Sequence, residues 1–457
     1  MMLPQGWVEA EASEVGTWGS GGTPKSTEAT YYNGNIPWIR SGDLPDQEIT
    51  KYEIQITEAG LNACAAKWVP TNSVLVALYG ATIGKIGITT YPVTTNQAVA
   101  FCTPCEAINP RYLAKYFLSI REKLISLAQG GAQPNISQII LKQQIVPLPP
   151  LAEQRRIVAK LDSLTARIAR TRKKMEHVSN TVSDLKKKIL LFAFSGKLSN
   201  SEYHHEKCSV EVKSVFQDDQ ERGQWSETSL PSSWKWVEFN QFFSDVTDSK
   251  KKLPANLYMD SGEFPVIDQG KSIIGGYTDR KDLIHTASDP VIIFGDHTRS
   301  VKLIHPPFVQ GADGVKVLSP SENVCVDYAY YAMLAIEIPD KGYSRHMKFV
   351  RRAMWPLPPL PEQNNIVRKI NHVFARANLI EKEAKRALSL LERLESALLA
   401  KAFRGELVPQ DPDDEPASVL LDRVRAERAA APKPKRGRRQ SIQDMPLPRK
   451  RQTEKHG

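Results

Sequence analysis

Apolar residues recur at a three-four step along two stretches of this 457-residue chain. In the first, Ile157, Leu161, Leu164, Ile168, Thr171, Met175, Val178, Val182, Leu185, Ile189 and Phe192 alternate steps of four and three, and only Thr171 is polar. In the second, Ile366, Ile370, Val373, Ala377, Ile380, Ala384, Ala387, Leu391, Leu394 and Leu398 do the same. A sustained a/d heptad predicts left-handed coiled-coil helices, whereas an ordinary surface helix shows a wider and shorter stripe. At about 1.5 Å per residue, some forty residues make a rod of roughly 60 Å.

The two stretches are copies of one another at an offset of 209 residues. PLPPLAEQRRIVAKL, from Pro147 to Leu161, returns as PLPPLPEQNNIVRKI from Pro356 to Ile370. From Pro147 to Leu198, 19 of 52 positions are identical to their images, with no insertion or deletion. Loops drift in length, but a helix cannot lose a residue without rotating its face, so a constant offset predicts one unbroken helix per copy. The prolines cannot be helical themselves and form a stiff lead-in. Pro361 suits a first helical position, and Glu153 and Glu362 fall in the first turn beside the positive helix end. A weaker repeat opens each half: Leu3-Pro4-x-x-Trp7 matches Leu230-Pro231-x-x-Trp234 at an offset of 227. Between this opening and the proline phrase the halves are dissimilar. Runs such as SVLVALYG and PVIIFG predict strands there, with short helices around Arg111–Leu127 and Asp327–Ile336.

The predicted organisation is a first variable domain (1–146), a repeated helix (147–198), a linker (199–229), a second variable domain (230–355), the helix again (356–407), an extension (408–432) and a tail (433–457). The fold class is α+β: two globular α/β domains joined by two long helices packed as an antiparallel coiled coil with pseudo-two-fold symmetry. Antiparallel pairing sets the end of the first helix beside the start of the second, so the linker bridges locally.

Charge changes this picture less than its total suggests. Of the formal +10, the tail contributes +7: nine Lys or Arg between Lys433 and Lys455 against Asp444 and Glu454, with few apolar residues, which reads as a disordered basic arm. The remainder is +3, so a DNA grip by the folded part needs a partner's positive surface. No apolar run approaches a membrane span, and MMLPQGWVEAEASE lacks a signal-peptide pattern, so the expected location is cytoplasmic. Cys102 and Cys105 form a lone CxxC without the further ligands of a zinc site and are read as reduced cysteines at a strand end.

Several fragments imitate catalytic motifs and fail on chemistry. His305-Pro306-Pro307-Phe308 resembles the Asn/Asp-Pro-Pro-Tyr/Phe motif of amino-methyltransferases, but lacks the amide or carboxylate at its first position. Gly80 to Ile86 is too short for a P-loop, and Glu383-Ala384-Lys385 has a nuclease-like spacing without the preceding Asp. No catalysis and no metal are expected of this chain.

Carrying both PLPPLxEQ helices, the chain resembles the specificity (S) subunits of type I restriction-modification systems, from Leu3 to about Arg428. Further motifs carry the resemblance: GGTPKS, IPWIRSGDL, ATIGKIGI, NQA, QPNISQ, GDHTRSVKL, GADGVKVL, GYSRHMKF and GELVPQDPDDEPASVLLDRVRAER. It implies that the variable domains are target recognition domains, each reading one half of a bipartite asymmetric site in double-stranded DNA. The coiled coil would set the spacer and dock two modification (methyltransferase) subunits, which recruit the restriction (translocase-nuclease) subunits. S-adenosylmethionine, ATP and Mg would then belong to the partners, with no cofactor here.

Reading base edges takes Arg, Lys, Asn, Gln or His on exposed loops. The candidates are Lys25, Arg40, Tyr79, Lys85, Asn96, Gln133 and Asn135 in the first domain. In the second they are His297, Thr298, Arg299, Lys302, Tyr343, Arg345, His346 and Lys348. Leu151, Glu153, Gln154, Leu360, Glu362 and Gln363 are the candidate partner contacts. The competing readings are a fused DNA adenine methyltransferase-recognition protein and a coiled-coil adaptor that binds no DNA.

Overall fold

The structure is a computed structural model that describes residues 3–129, 134–198, 230–312, 314–340, 342 and 344–430. The linker at 199–229 and the tail at 433–457 lie outside the described residues, as do the candidates Gln133 and Tyr343. The chain divides into two compact units: residues 1–173 with 388–457, and residues 174–387.

The repeated segments are single helices of 44 residues each, Leu151–Phe194 and Leu360–Phe403, and both ends keep the 209-residue offset. Within each unit the start of one helix lies against the end of the other. In the first unit Arg172 pairs with Glu395 at 3.3 Å; in the second Lys186 pairs with Glu381 at 2.9 Å and donates to Asn378. Residue numbers rise on one helix as they fall on the other, so the pairing is antiparallel. The 209 offset carries Arg172 onto Glu381 and Lys186 onto Glu395, making each bridge the image of the other. Such half-exposed pairs specify register more than stability.

The heptad is only partly buried. Ile157, Leu161, Ile168, Val182, Ile366, Ile370, Ala377 and Ala384 are covered, but Leu185, Phe192, Ile380 and Leu394 are 42–47% exposed. A straight helix drifts about 20° per heptad from a 3.5-residue repeat. Near the helix ends the buried positions become Leu190, Ala193, Phe194 and Ala402, which pack on the globular domains instead of following the stripe.

The first domain carries a five-stranded sheet in the order Gly16–Ser20, Val99–Pro104, Val74–Ala77, Ile86–Thr89 and Gln47–Ile49, plus a three-stranded sheet centred on Tyr32–Ile39. The second carries two four-stranded sheets; one orders Phe243–Asp245, Val315–Pro320, Val291–Gly295 and Val301–Ile304. SVLVALYG and PVIIFG supply central strands in each, as their apolar runs predict. The helices Pro110–Ser119, Arg121–Ser126 and Val326–Ala335 fall where expected. Phe308 of the HPPF fragment is core, stacked on His285 at 5.1 Å. Cys102 is buried within its strand, and Cys105 follows it.

Candidate nucleic-acid interface and helix junctions

The proline phrase is half strand and half hinge. Ile145–Leu148 pairs antiparallel with Val8–Glu11, setting Pro147 opposite Glu9; Trp355–Leu357 pairs with Lys235–Val237, setting Pro356 opposite Trp236. Each is a two-stranded ribbon, where proline's missing N–H is tolerated. The Tyr112 hydroxyl donates to the Pro147 carbonyl at 2.6 Å, and the Tyr328 hydroxyl to that of Pro356 at 2.9 Å.

The glutamine after each proline run closes the junction. Gln154 accepts from the Asn109 amide (2.7 Å) and donates to the carbonyls of Ala107 (2.9 Å) and Pro149 (3.0 Å). Gln363 repeats this with Cys325 (2.7 Å), Asn323 (2.9 Å) and Pro358 (3.0 Å). Both side chains are fully buried. One primary amide thus satisfies an orphan N–H at a short helix's start and two carbonyls that prolines or turns leave without partners.

This placement corrects the reading of Glu153, Gln154 and Gln363 as partner contacts. They are buried inside the chain and hold the long helix to its domain. Glu362 is half-buried, whereas Leu360 is 47% exposed and Leu151 partly so. Glu153 accepts from Trp7 Nε1 at 3.0 Å, which explains the opening Leu-Pro-x-x-Trp motif. Trp234 Nε1 in the second copy is buried without a partner among the described residues.

Burial raises the Glu153 carboxyl above the ordinary carboxylate value, outweighing the hydrogen bonds from Trp7 and Gln410. A raised folded-state pKa favours the protonated fold, so this group costs stability as pH rises from about 4.3, the unfolded value, through the folded one. Glu153→Gln keeps an acceptor for Trp7 and loses only the 3.4 Å contact from Gln410. Denaturation midpoints from pH 4 to 8 should therefore favour the variant increasingly toward neutrality. A difference independent of pH would refute the assignment.

The helix ends are held the same way in both units. Gly196 and Gly405 stand at positive φ after the last helical turn. A Cβ on Gly196 would meet Pro231 at 2.4 Å, and one on Gly405 would meet Pro4 at 2.3 Å. Only glycine can end each helix in that conformation so close to a Leu-Pro motif. The first unit has an added brace: Ala417 N donates to the Gly6 carbonyl at 3.0 Å, Asp414 pairs with Arg156 at 2.6 Å, and Glu14 pairs with Arg425 at 2.7 Å.

In the first domain, candidate DNA-contacting residues gather where several loops meet. Gly21 crosses the strand at Thr95 so tightly that a Cβ would lie 1.8 Å from that carbonyl, which sets the start of the GGTPKS loop, with exposed Lys25 further along it, against the segment that leads to Asn96. Thr23 hydrogen-bonds Gln97. Gly80 N donates to the Pro134 carbonyl at 2.8 Å and Ile136 N to that of Leu78 at 2.9 Å, so exposed Tyr79 and Asn135 adjoin each other. Lys85 and Asn96 are half-buried, and Asn96 Oδ1 is buried without a partner among the described residues. Arg40 adjoins these loops, since the carbonyl of the preceding Ile39 accepts from Asn96 N at 3.0 Å, and its guanidinium is bidentate on Asp43.

The second domain's loops are tied more tightly. Asp296 N donates to the Gly314 carbonyl (2.6 Å), its carbonyl accepts from His346 N (2.9 Å), and its carboxylate accepts from Met347 N (2.6 Å). Thr298 and Ser300 donate to the Gln269 carbonyl at 2.6 and 2.8 Å. Lys302 is 6% exposed and donates to the Asp268 carbonyl at 2.7 Å; burial lowers its pKa against the pull of Asp268. His346 is fully buried. Lys302 and His346 therefore shape the loops and do not reach bases, correcting their reading as contacts. Arg299 adopts φ +59° and pairs with Asp340 at 2.6 Å; His297 is half-buried, while Arg345 and Lys348 are exposed. Asp296 organises the cluster, and its only advance signal is the acidic residue within GDHTRS.

Each unit thus joins a sheet domain to antiparallel helix segments through the same junction, and the two sheet domains differ. Residues 4–180 match the type I restriction modification DNA specificity domain. The chain is 26% identical to the type I restriction enzyme EcoKI specificity subunit of Escherichia coli K12, over 96% of this chain and 99% of that one. It is 22% identical to the MjaIX specificity subunit of Methanocaldococcus jannaschii, over 89% and 94%. A solved structure from work on complex assembly and conformational transition of the type I R-M system shares the fold: TM-score 0.66, 19% identity, covering 89% of this chain and all of that one. Over nearly its whole length the chain is thus similar to specificity subunits of type I restriction-modification systems.

Proposed function

We propose that the chain is the DNA-reading, non-catalytic subunit of a type I complex, and that each domain reads one half of an interrupted, asymmetric site in double-stranded DNA. The observation that carries this is the contrast between the junctions, bonded alike in both copies, and the heads, whose sheets differ. Identical heads on a pseudo-two-fold mount would read a palindrome; unlike heads read two unrelated half-sites.

The helix pair sets the spacer and docks two modification subunits, which bring in the restriction subunits. Exposed apolar residues on the second long helix, Leu360, Leu379, Ile380, Leu390 and Leu394, suit that docking. S-adenosylmethionine, ATP and Mg act on those partners. Among the described residues no helix is long and apolar enough to cross a membrane, and the complex would work on DNA in the cytoplasm.

Exchanging residues 1–146 for the equivalent domain of a relative should change one half-site and leave the other and the spacer intact, as read by methylome sequencing of cells carrying the complete system. A change in both halves would overturn the two-reader assignment. Methyl transfer to DNA by the purified chain with S-adenosylmethionine alone would favour a fused methyltransferase instead.

A further inference from the structure

The loops of the second domain have turned much of their polar chemistry inward. Thr298 and Lys302 bond the backbone of Gln269 and Asp268, His346 is buried, and Arg299 is held by Asp340. What projects from the same place is apolar. Asp268–Gln269 is the root of a hairpin whose arms, Phe264–Ile267 and Gly276–Thr278, pair antiparallel. Its tip, GKSIIG from Gly270 to Gly275, exposes Ile273 by 68% and Ile274 by 37%. Met259, bridged to Tyr277 on the returning arm, is 45% exposed. A single exposed apolar residue is ordinary, but two adjacent exposed β-branched residues on a glycine-flanked tip, with exposed Met259 against the arm of the same hairpin, stand out.

We infer that this tip enters the major groove of the second half-site, where Ile273 and Ile274 pack on the 5-methyl group of a thymine. The inference rests on the DNA reading proposed above. Continuity selects DNA as the occupant, because the tip's root is hydrogen-bonded to the very loop that carries His297, Thr298 and Arg299. Charge agrees: Lys271 in the tip and Arg345, next to Ser344 whose carbonyl contacts His297, are exposed cations suited to phosphates. Chemistry narrows the target, since the thymine methyl is the apolar group that a major-groove edge displays.

The test uses the complete complex with its modification subunits and measures affinity by titration of labelled duplexes. Ile273→Ser/Ile274→Ser is compared with Ile273→Val/Ile274→Val and the parent. Each thymine of the second half-site is replaced in turn by uracil, which lacks only the methyl group. One uracil should weaken the parent roughly fourfold, and the serine pair should bind the unmodified site about 10–100-fold more weakly, with no further loss on that uracil. The valine pair should retain most of the affinity. Affinity of the serine pair within twofold of the parent, or equal uracil losses in both, would overturn the inference. So would loss of subunit assembly with DNA affinity intact, which would assign the tip to a protein contact. A parent complex without sequence selectivity would instead refute the DNA reading itself.

Discussion

Gln154→Ala is expected to destabilise the first unit by about 3–5 kcal/mol, and Gln363→Ala the second unit by a similar amount. Each substitution strands one partly buried N–H and two carbonyls, both buried at the Gln154 junction and one of them, that of Asn323, only partly buried at the Gln363 junction, at about 1–3 kcal/mol for each buried unsatisfied group, partly relieved by relaxation. The side chain is fully buried, so water cannot readily restore the bonds. Glutamate should fail as well: its oxygens accept from Asn109 or Cys325 but cannot donate to the carbonyls of Ala107 and Pro149, or of Asn323 and Pro358. Hydrogen exchange reads the two junctions separately, and protection should collapse along Pro110–Ser119 for the Gln154 variants and along Val326–Ala335 for the Gln363 variants. A loss below about 1 kcal/mol at either site would show that the prolines alone hold the joint.

The second large effect concerns length. One extra heptad after Ser179, together with one after its offset image Leu388, should lengthen the recognised spacer by roughly three base pairs and abolish recognition of the original site. Seven residues add about 10 Å of helix, and duplex DNA rises about 3.4 Å per base pair. A whole heptad leaves the apolar stripe nearly in phase, with only the usual drift of about 20°. Insertion into one helix alone should be worse, because Arg172–Glu395 and Lys186–Glu381 can then no longer both keep their antiparallel register. Methylome sequencing gives the spacer directly. An unchanged spacer with restored activity would eliminate the helix pair as the measuring element.

The repeat made the scaffold legible because a helix tolerates no change of length, so both helices and their shared offset could be read without coordinates. Burial along them was less legible. Leu185 and Leu394 belong to the heptad yet stand 42% and 47% exposed, since a one-dimensional pattern does not say where a helix leaves its partner to pack on a domain. The EQ of the proline phrase looked like a surface signature precisely where it repeated, but repetition marks a shared constraint, and here the constraint is internal hydrogen bonding. In the loops, residue type identified polar clusters correctly and orientation poorly. Lys302 and His346 carry donors suited to bases, but strand pairing turns Lys302 inward and contacts with Asp296 hold His346 inside, and the apolar tip at Ile273 and Ile274 carries no polar signal to search for.

The division of the chain has a consequence for how the protein is made. Residues 174–387 form one unit from a continuous segment, whereas the other unit needs residues 1–173 and 388–430 together. On a ribosome adding about 5–20 residues per second, the first-synthesised domain waits roughly 10–40 s for the helix end and brace that complete its core. During that interval Ile157, Leu161 and the surface later covered by Ala402, Ala417 and Leu421 remain open to water or to a chaperone. The half made later can finish folding earlier, and truncated nascent chains should leave the N-terminal domain as the protease-sensitive part.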